Sequence, residues 1–225
     1  MPTRLRPTAP IAADAILVGD PGRSLLLAQE LLEEPRMSNH ARGLWGYSGR
    51  TPAGRELTIQ ATGIGGPSAA AVLADLAELG VQRAVRVGTC TALGAEAATG
   101  ELLLVDAAIA RGGSAASFGL SLGSAVAPDV ELRRRLNREL GDEARATRVA
   151  SYDSMPTGAT AIADGALAAD MQTVAVLARA RELEIAAAAV LVVSEGIGQG
   201  AALDDQALAA AAKRAGLAAR ACLAF

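Results

Sequence analysis

The residues best suited to chemistry sit at the ends of apolar runs. Ala84-Val85-Arg86-Val87-Gly88-Thr89-Cys90 places an arginine inside a strand-like segment that closes in small, hydroxyl-bearing residues. A charge there is costly unless it is paired, and a parallel strand buried on both faces should be continuously apolar. Two readings are open. Arg86 and Thr89 form an anion site at the carboxyl end of a strand, from a guanidinium fork, a hydroxyl and free backbone N–H groups. Alternatively, Arg86 is a core arginine paired with an Asp or Glu elsewhere. A similar choice applies to Gly19-Asp20-Pro21-Gly22-Arg23, which follows the apolar run Ala15-Ile16-Leu17-Val18. Strand, glycine turn and helix start together present N–H groups to an anion, and Pro21 suits a first helical turn. Arg23 would add a formal charge. The alternative is an ordinary strand–helix turn with a solvated arginine. No Gly-Lys-Ser/Thr follows, so this is not a Walker A loop. Ser194-Glu195-Gly196 closes another apolar run, Ala186 to Val193.

These groups need a scaffold, and the chain reads as one α/β domain, residues 1–225, with a mixed central β-sheet flanked by helices. Strands are expected at 15–18, 43–48, 56–60, 84–90, 101–110, 145–152 and 186–193. Helices are expected from Pro21 to about Leu32, Ser68 to Leu79, Pro128 to about Leu140, Met171 to about Glu184, and Leu203 to Leu223. Segments 43–48 and 56–60 flank a Gly/Pro turn and read as a hairpin. The helix from Ser68 follows a second glycine turn, Thr62-Gly63-Ile64-Gly65-Gly66-Pro67-Ser68. Residues 112–127 and 157–170 read as loops.

Composition narrows the function classes. Of 225 residues, 51% are hydrophobic and 20% charged, which supports a substantial core. Net charge is −3 with no basic run, so nucleic-acid binding is not favoured. Aromatics are only 2%, so any base pocket is sparsely aromatic. Cys90 and Cys222 have no metal-ligand spacing and suit a reducing, cytoplasmic compartment. The single histidine, His40, argues against histidine metal sites and triads. No signal peptide or membrane span is read.

Six motifs occur in a fixed order: Gly-Asp-Pro-x-Arg at 19–23, His-Ala-Arg-Gly at 40–43, Thr-Gly-Ile-Gly-Gly-Pro-Ser at 62–68, Arg-Val-Gly-Thr-Cys at 86–90, Asp-Met-Gln at 170–172 and Ser-Glu at 194–195. Together they resemble the nucleoside phosphorylase family that includes purine nucleoside and uridine phosphorylases, over roughly residues 9–223. The resemblance implies that Gly19, Arg23, Arg86 and Thr89 bind phosphate. It implies that Arg42 reaches the phosphate of a neighbouring subunit, in a homo-oligomer of dimer units, expected as a hexamer. Met171 and Gln172 fall at the sugar, Met155 and Ser194 at the base, and Glu195 at the acid that protonates a departing purine.

The sugar and base positions depart from the family pattern. Gln172 stands for a glutamate that accepts from the ribose hydroxyls, and Asp170 shortens the first acid of that motif. Pro10 replaces a histidine that reaches a neighbour's sugar, and His40 lies in the wrong motif to substitute. Met155 replaces a stacking phenylalanine. The Gln-x-Arg pair that reads uracil is absent after residue 155, which tilts the base towards purine. Glu195 replaces an aspartate, and donation near neutral pH calls for burial at the strand end. The activity implied is phosphate-dependent cleavage of a nucleoside to free base and pentose 1-phosphate, with nucleoside and inorganic phosphate as co-substrates. The alternatives are a non-catalytic or specialised phosphate-binding paralogue and, less favoured because the arginines are retained, a nucleosidase.

Overall fold

The computed structural model describes residues 2–155 and 165–225. Ten strands form one mixed sheet. They are β1 (Asp14–Val18), β2 (Glu33–Asn39), β3 (Gly46–Arg50), β4 (Glu56–Ala61), β5 (Arg83–Ala92), β6 (Leu102–Ala110), β7 (Ala125–Val126), β8 (Ala144–Ser151), β9 (Ala166–Asp170) and β10 (Ala186–Gly196). The helices are α1 (Pro21–Leu31), α2 (Gly66–Glu78), α3 (Val130–Leu140), α4 (Thr173–Glu182) and α5 (Asp205–Leu223). This is the expected α/β fold with a mixed central sheet and helices on both faces.

Strand β5 is the hub. It runs parallel to β1 on one side and to β10 on the other, and its last residues, Thr91 and Ala92, pair with β9. β10 continues to β6, then β8, then β9, so these strands and β5 close into a ring. β1, β4, β3 and β2 extend from it as an open sheet. Because β4, β1, β5 and β10 are mutually parallel, their carboxyl ends open on the same side.

Alternation along β5 divides the core. Val85 and Val87 face one apolar cluster with Leu27 and Leu31 of α1, Leu132 and Leu136 of α3, and Ala215 and Ala219 of α5. Ala84, Cys90 and Ala92 face the other, with Val72, Leu73 and Leu76 of α2 and Val174 and Leu177 of α4. Arg86 shares the second face by register, so its guanidinium points toward the helix starts of that layer. The amino-terminal arm is pinned to the same layer. Asp75 of α2, buried, accepts the backbone N–H groups of Arg4 at 2.6 Å and Leu5 at 2.8 Å.

Three expectations need correction. Residues 166–170, read as loop, are strand β9. Ala-Leu-Ala-Ala-Asp has weak strand propensity, but β9 is paired parallel to β8 and antiparallel to β5, so non-local pairing overrides composition. The rest of that segment, 156–164, lies outside the described residues. β2, which the sequence hid, is a polar edge strand, Glu-Glu-Pro-Arg-Met-Ser-Asn, whose sheet partner among the described residues is β3. Pro35 and the charges suit an edge. Finally, the segment 112–127 is not all loop. It contains a 3-10 helix at Gly113–Phe118 and the short strand β7.

Candidate active site

The carboxyl ends of β1, β4, β5 and β10 open into one cavity of about 510 Å³. Every residue singled out from the sequence lines it: Gly19, Arg23, Arg42, Arg86, Thr89, Met155, Met171, Gln172, Ser194 and Glu195. Residues up to 176 positions apart in the chain meet there because four parallel strands end together. Pro10 and His40 do not line it. Pro10 is exposed beside a separate surface cavity with Glu33, Arg36 and Leu57.

Each element delivers its group through a recognisable local device. β1 ends at Gly19, and Asp20 caps α1 by accepting the N–H of Arg23 at 2.8 Å. That cap sets Arg23 on the first helical turn, facing the cavity. No carboxylate lies within ion-pair distance of Arg23 or Arg42 among the described residues. Burial lowers the pKa of Arg23, Asp20 raises it, and the nearby Arg86 guanidinium lowers it further. Arg23 thus brings a positive charge into the cavity beside a guanidinium that already has its own counter-ion. Arg42 is exposed in a 3-10 turn, at φ 59°. The turn after β4 uses Gly63 at φ 74° and Gly65 at φ 83°, conformations that favour glycine, and leads straight into α2. Thr89 is half-buried, and no described residue takes its hydroxyl.

Of the two readings left open by the sequence, the structure supplies the buried carboxylate partner that the second one calls for. Arg86 is 4% exposed and ion-paired to Asp170 at 2.9 Å. Nη1 donates to Gln172 Oε1 at 2.7 Å and Nε to Thr173 Oγ1 at 3.2 Å. It is therefore a paired core arginine that also lines the cavity. Gly88 makes its position possible: a Cβ there would stand 2.6 Å from the Arg86 guanidinium carbon.

Asp170 is the residue whose role the sequence reading missed. Its carboxylate, fully buried, accepts from Ser151 Oγ at 2.5 Å, Thr173 Oγ1 at 2.6 Å and Thr173 N at 2.9 Å, as well as from Arg86. It thus holds the backbone N–H groups of Gln172 and Thr173 at the start of α4 and neutralises Arg86 together. Gln172 is also buried, and its carboxamide is engaged at both ends. Nε2 donates to Gly63 O at 2.6 Å and Gly65 O at 3.3 Å, and Oε1 faces Arg86 and the Thr62 hydroxyl.

On the β10 side, the ladder with β5 slips between Val193 and Glu195, where Ser194 is the extra residue. Such bulges re-aim side chains. Here Glu195 comes to lie opposite Thr91, whose hydroxyl donates to Glu195 Oε1 at 2.9 Å. The expected burial of Glu195 is not seen. Its side chain is exposed because the strand has already left the core at Val193. Met155 packs with Leu93, Ala169 and Ile197 at the cavity wall. Cys90 also lines the cavity, but burial and the Asp170 carboxylate push its thiol pKa up, so it is no nucleophile at neutral pH. Among the described residues no cluster of three or more His, Cys, Asp or Glu could hold a metal ion. None of their helices is long and apolar enough to cross a membrane.

The geometry agrees with comparisons to known proteins. The sequence profile of the Phosphorylase superfamily matches residues 14–224. The chain belongs to that superfamily. A DeoD-type purine nucleoside phosphorylase from Geobacillus kaustophilus is 30% identical over 203 residues, 84% of each chain. Another, from Oceanobacillus iheyensis, is 36% identical over 99 residues, 44% of this chain, and the match spans only 42% of that relative's length. Among solved structures, a uridine phosphorylase from Vibrio fischeri superposes with TM-score 0.83 at 22% identity, covering 95% of this chain and 91% of that one. A purine nucleoside phosphorylase from Toxoplasma gondii, in complex with immucillin-H, gives TM-score 0.82 at 21% identity, covering 94% and 90%. At such identities the structural likeness speaks to the fold. The superfamily's sheet and helices are thus shared across members named for purine and for uridine.

Proposed function

We propose that the protein cleaves the N-glycosidic bond of a nucleoside, purine favoured, with inorganic phosphate as the nucleophile. The observation that carries this reading is the convergence of Arg23, Arg86 and Thr89 on one cavity that also holds Glu195, with Arg42 at its wall. Guanidinium groups and N–H donors at a helix start bind a phosphate dianion and screen its charge as it attacks. A phosphate oxygen forms the bond to the anomeric carbon. The bond from that carbon to the base nitrogen breaks, and its electron pair leaves with the base. The sugar passes through an oxocarbenium-like state. Glu195 supplies the proton that the departing purine takes up, and overall that hydrogen comes from hydrogen phosphate. The products are free base and pentose 1-phosphate. Met171 and Met155 supply apolar surface to sugar and base, with Ser194 beside the base. Gly19 gives phosphate close access to the backbone. No metal or organic cofactor enters this scheme.

The assembly we propose is a cytoplasmic homohexamer built of dimers. Arg42 is exposed on the wall of its own chain's cavity. Delivery to a neighbour's phosphate requires a dimer that sets two such cavities edge to edge.

The test is a panel of purine and pyrimidine ribonucleosides and 2′-deoxyribonucleosides, assayed with and without phosphate. Base release that depends on phosphate and falls sharply in Arg23→Ala supports the proposal. Release in phosphate-free buffer would instead indicate a nucleosidase. Phosphate binding without any release would indicate a binding paralogue, a reading that the solvent-exposed Glu195 keeps in play.

A further inference from the structure

The carboxamide of Gln172 can be oriented in only one way. Gly63 O and Gly65 O are acceptors only, so the group facing them at 2.6 and 3.3 Å must be the amide nitrogen. Arg86 is a donor only, so the atom facing its Nη1 at 2.7 Å must be the amide oxygen. The Thr62 hydroxyl lies 3.2 Å from the same oxygen. Both N–H groups and the oxygen are therefore committed to protein, and the side chain is 4% exposed. A carboxylate at this position would set an anionic oxygen against two carbonyl oxygens. The charge that Arg86 requires comes from Asp170 instead, at 2.9 Å.

We infer that Gln172 is a positioning residue, an amide brace that ties Arg86 to the Gly63–Gly65 turn, and that it does not read the sugar hydroxyls. The inference rests on the proposed phosphorolysis for its consequence: ribo- and 2′-deoxyribonucleosides are handled alike. The amide donates where the turn offers carbonyl oxygens. It also joins two phosphate-side elements, the end of β5 and the start of α2, through one neutral group.

The test uses the full-length protein and the variants Gln172→Ala, Gln172→Met and Gln172→Glu. Two quantities are read: phosphate affinity by titration calorimetry, and kcat/KM for a purine ribonucleoside and its 2′-deoxy counterpart. The unsubstituted protein is expected to turn over the two sugars within a few fold of each other. A charge-assisted bond to the 2′-hydroxyl would instead separate them by roughly tenfold or more. Gln172→Ala and Gln172→Met should weaken phosphate binding by about tenfold and lower kcat/KM for both sugars by the same factor. Gln172→Glu should not rescue either. A strong ribose preference that Gln172→Ala abolishes, or a selective gain for ribose in Gln172→Glu, overturns the inference. So does phosphate affinity unchanged by the substitutions. Phosphate binding without turnover would contradict the proposed activity, and the brace would still be judged by calorimetry. No phosphate binding by the unsubstituted protein contradicts both. Thermal unfolding identifies a variant that fails to fold; Gln172→Met, which keeps the volume, then carries the binding test, and the sugar ratio of the unsubstituted protein stands without any variant.

Discussion

Arg86 owes its place to three neighbours of different kinds. Asp170 neutralises it, Gln172 orients it, and Gly88 leaves it room. Removing the charge of Asp170 leaves a buried guanidinium without its counter-ion and weakens the bonds to the Gln172 and Thr173 N–H groups at the start of α4. Asp170→Asn should therefore destabilise the fold by about 3–5 kcal/mol, measured by denaturant unfolding. Gly88→Ala acts differently. Its methyl group displaces the guanidinium, so phosphate binding should weaken by roughly tenfold or more while the folded state persists. A calorimetric titration with phosphate beside a thermal melt separates the two effects. Among the described residues Glu195 is bonded to Thr91 alone, at the surface of the site, so Glu195→Gln should leave the melt unchanged. If Glu195 is the proton donor, the same variant lowers kcat by about 10²-fold or more on purine nucleosides. Steady-state kinetics with inosine and phosphate reads this directly.

At the scale of elements, the devices are the glycine turns, the bulge in β10 and the cap of α1. The turns at 19–23 and 62–68 were legible because glycine, proline and a helix start carry their geometry in a few adjacent residues. β1, β5 and β10 were legible as apolar runs. β9 was not, because its alanines become a strand only through β8 and β5, which no local pattern announces. The same holds within the site. That Arg86 needed a partner was evident from its surroundings, but Asp170 is 84 residues away and only the fold brings them together. The exposure of Glu195 was equally hidden, since it depends on where the ladder slips. The anchoring of the arm on α2 gives a prediction at this scale. Burial raises the Asp75 pKa, but the N–H groups of Leu5, Arg4 and Thr3 and the Arg4 guanidinium outweigh it, so the net shift is downward. A carboxyl depressed in the folded state stabilises fully above its unfolded pKa of about 4. That contribution is lost as pH falls through the lower folded value. Unfolding free energy measured from pH 7 down to 3 should fall less steeply in Asp75→Asn than in the unsubstituted protein.

For the whole molecule, the closed ring of strands pairs the hub on both sides, and the open sheet carries the turns and Arg42 out from it. The exposed Trp45, Met37 and Ile64 belong to that open side. A hexamer predicts a sedimentation mass near six times 22.6 kDa, and Arg42→Ala should leave that mass unchanged while weakening phosphate binding. The central claim is that this fold joins a phosphate oxygen to a sugar carbon as the base departs. Phosphorus NMR of the protein with a purine nucleoside and inorganic phosphate tests it most directly. The account predicts a new sugar-phosphate resonance that grows in step with free base. Free base without that resonance, or no change in either, would contradict it.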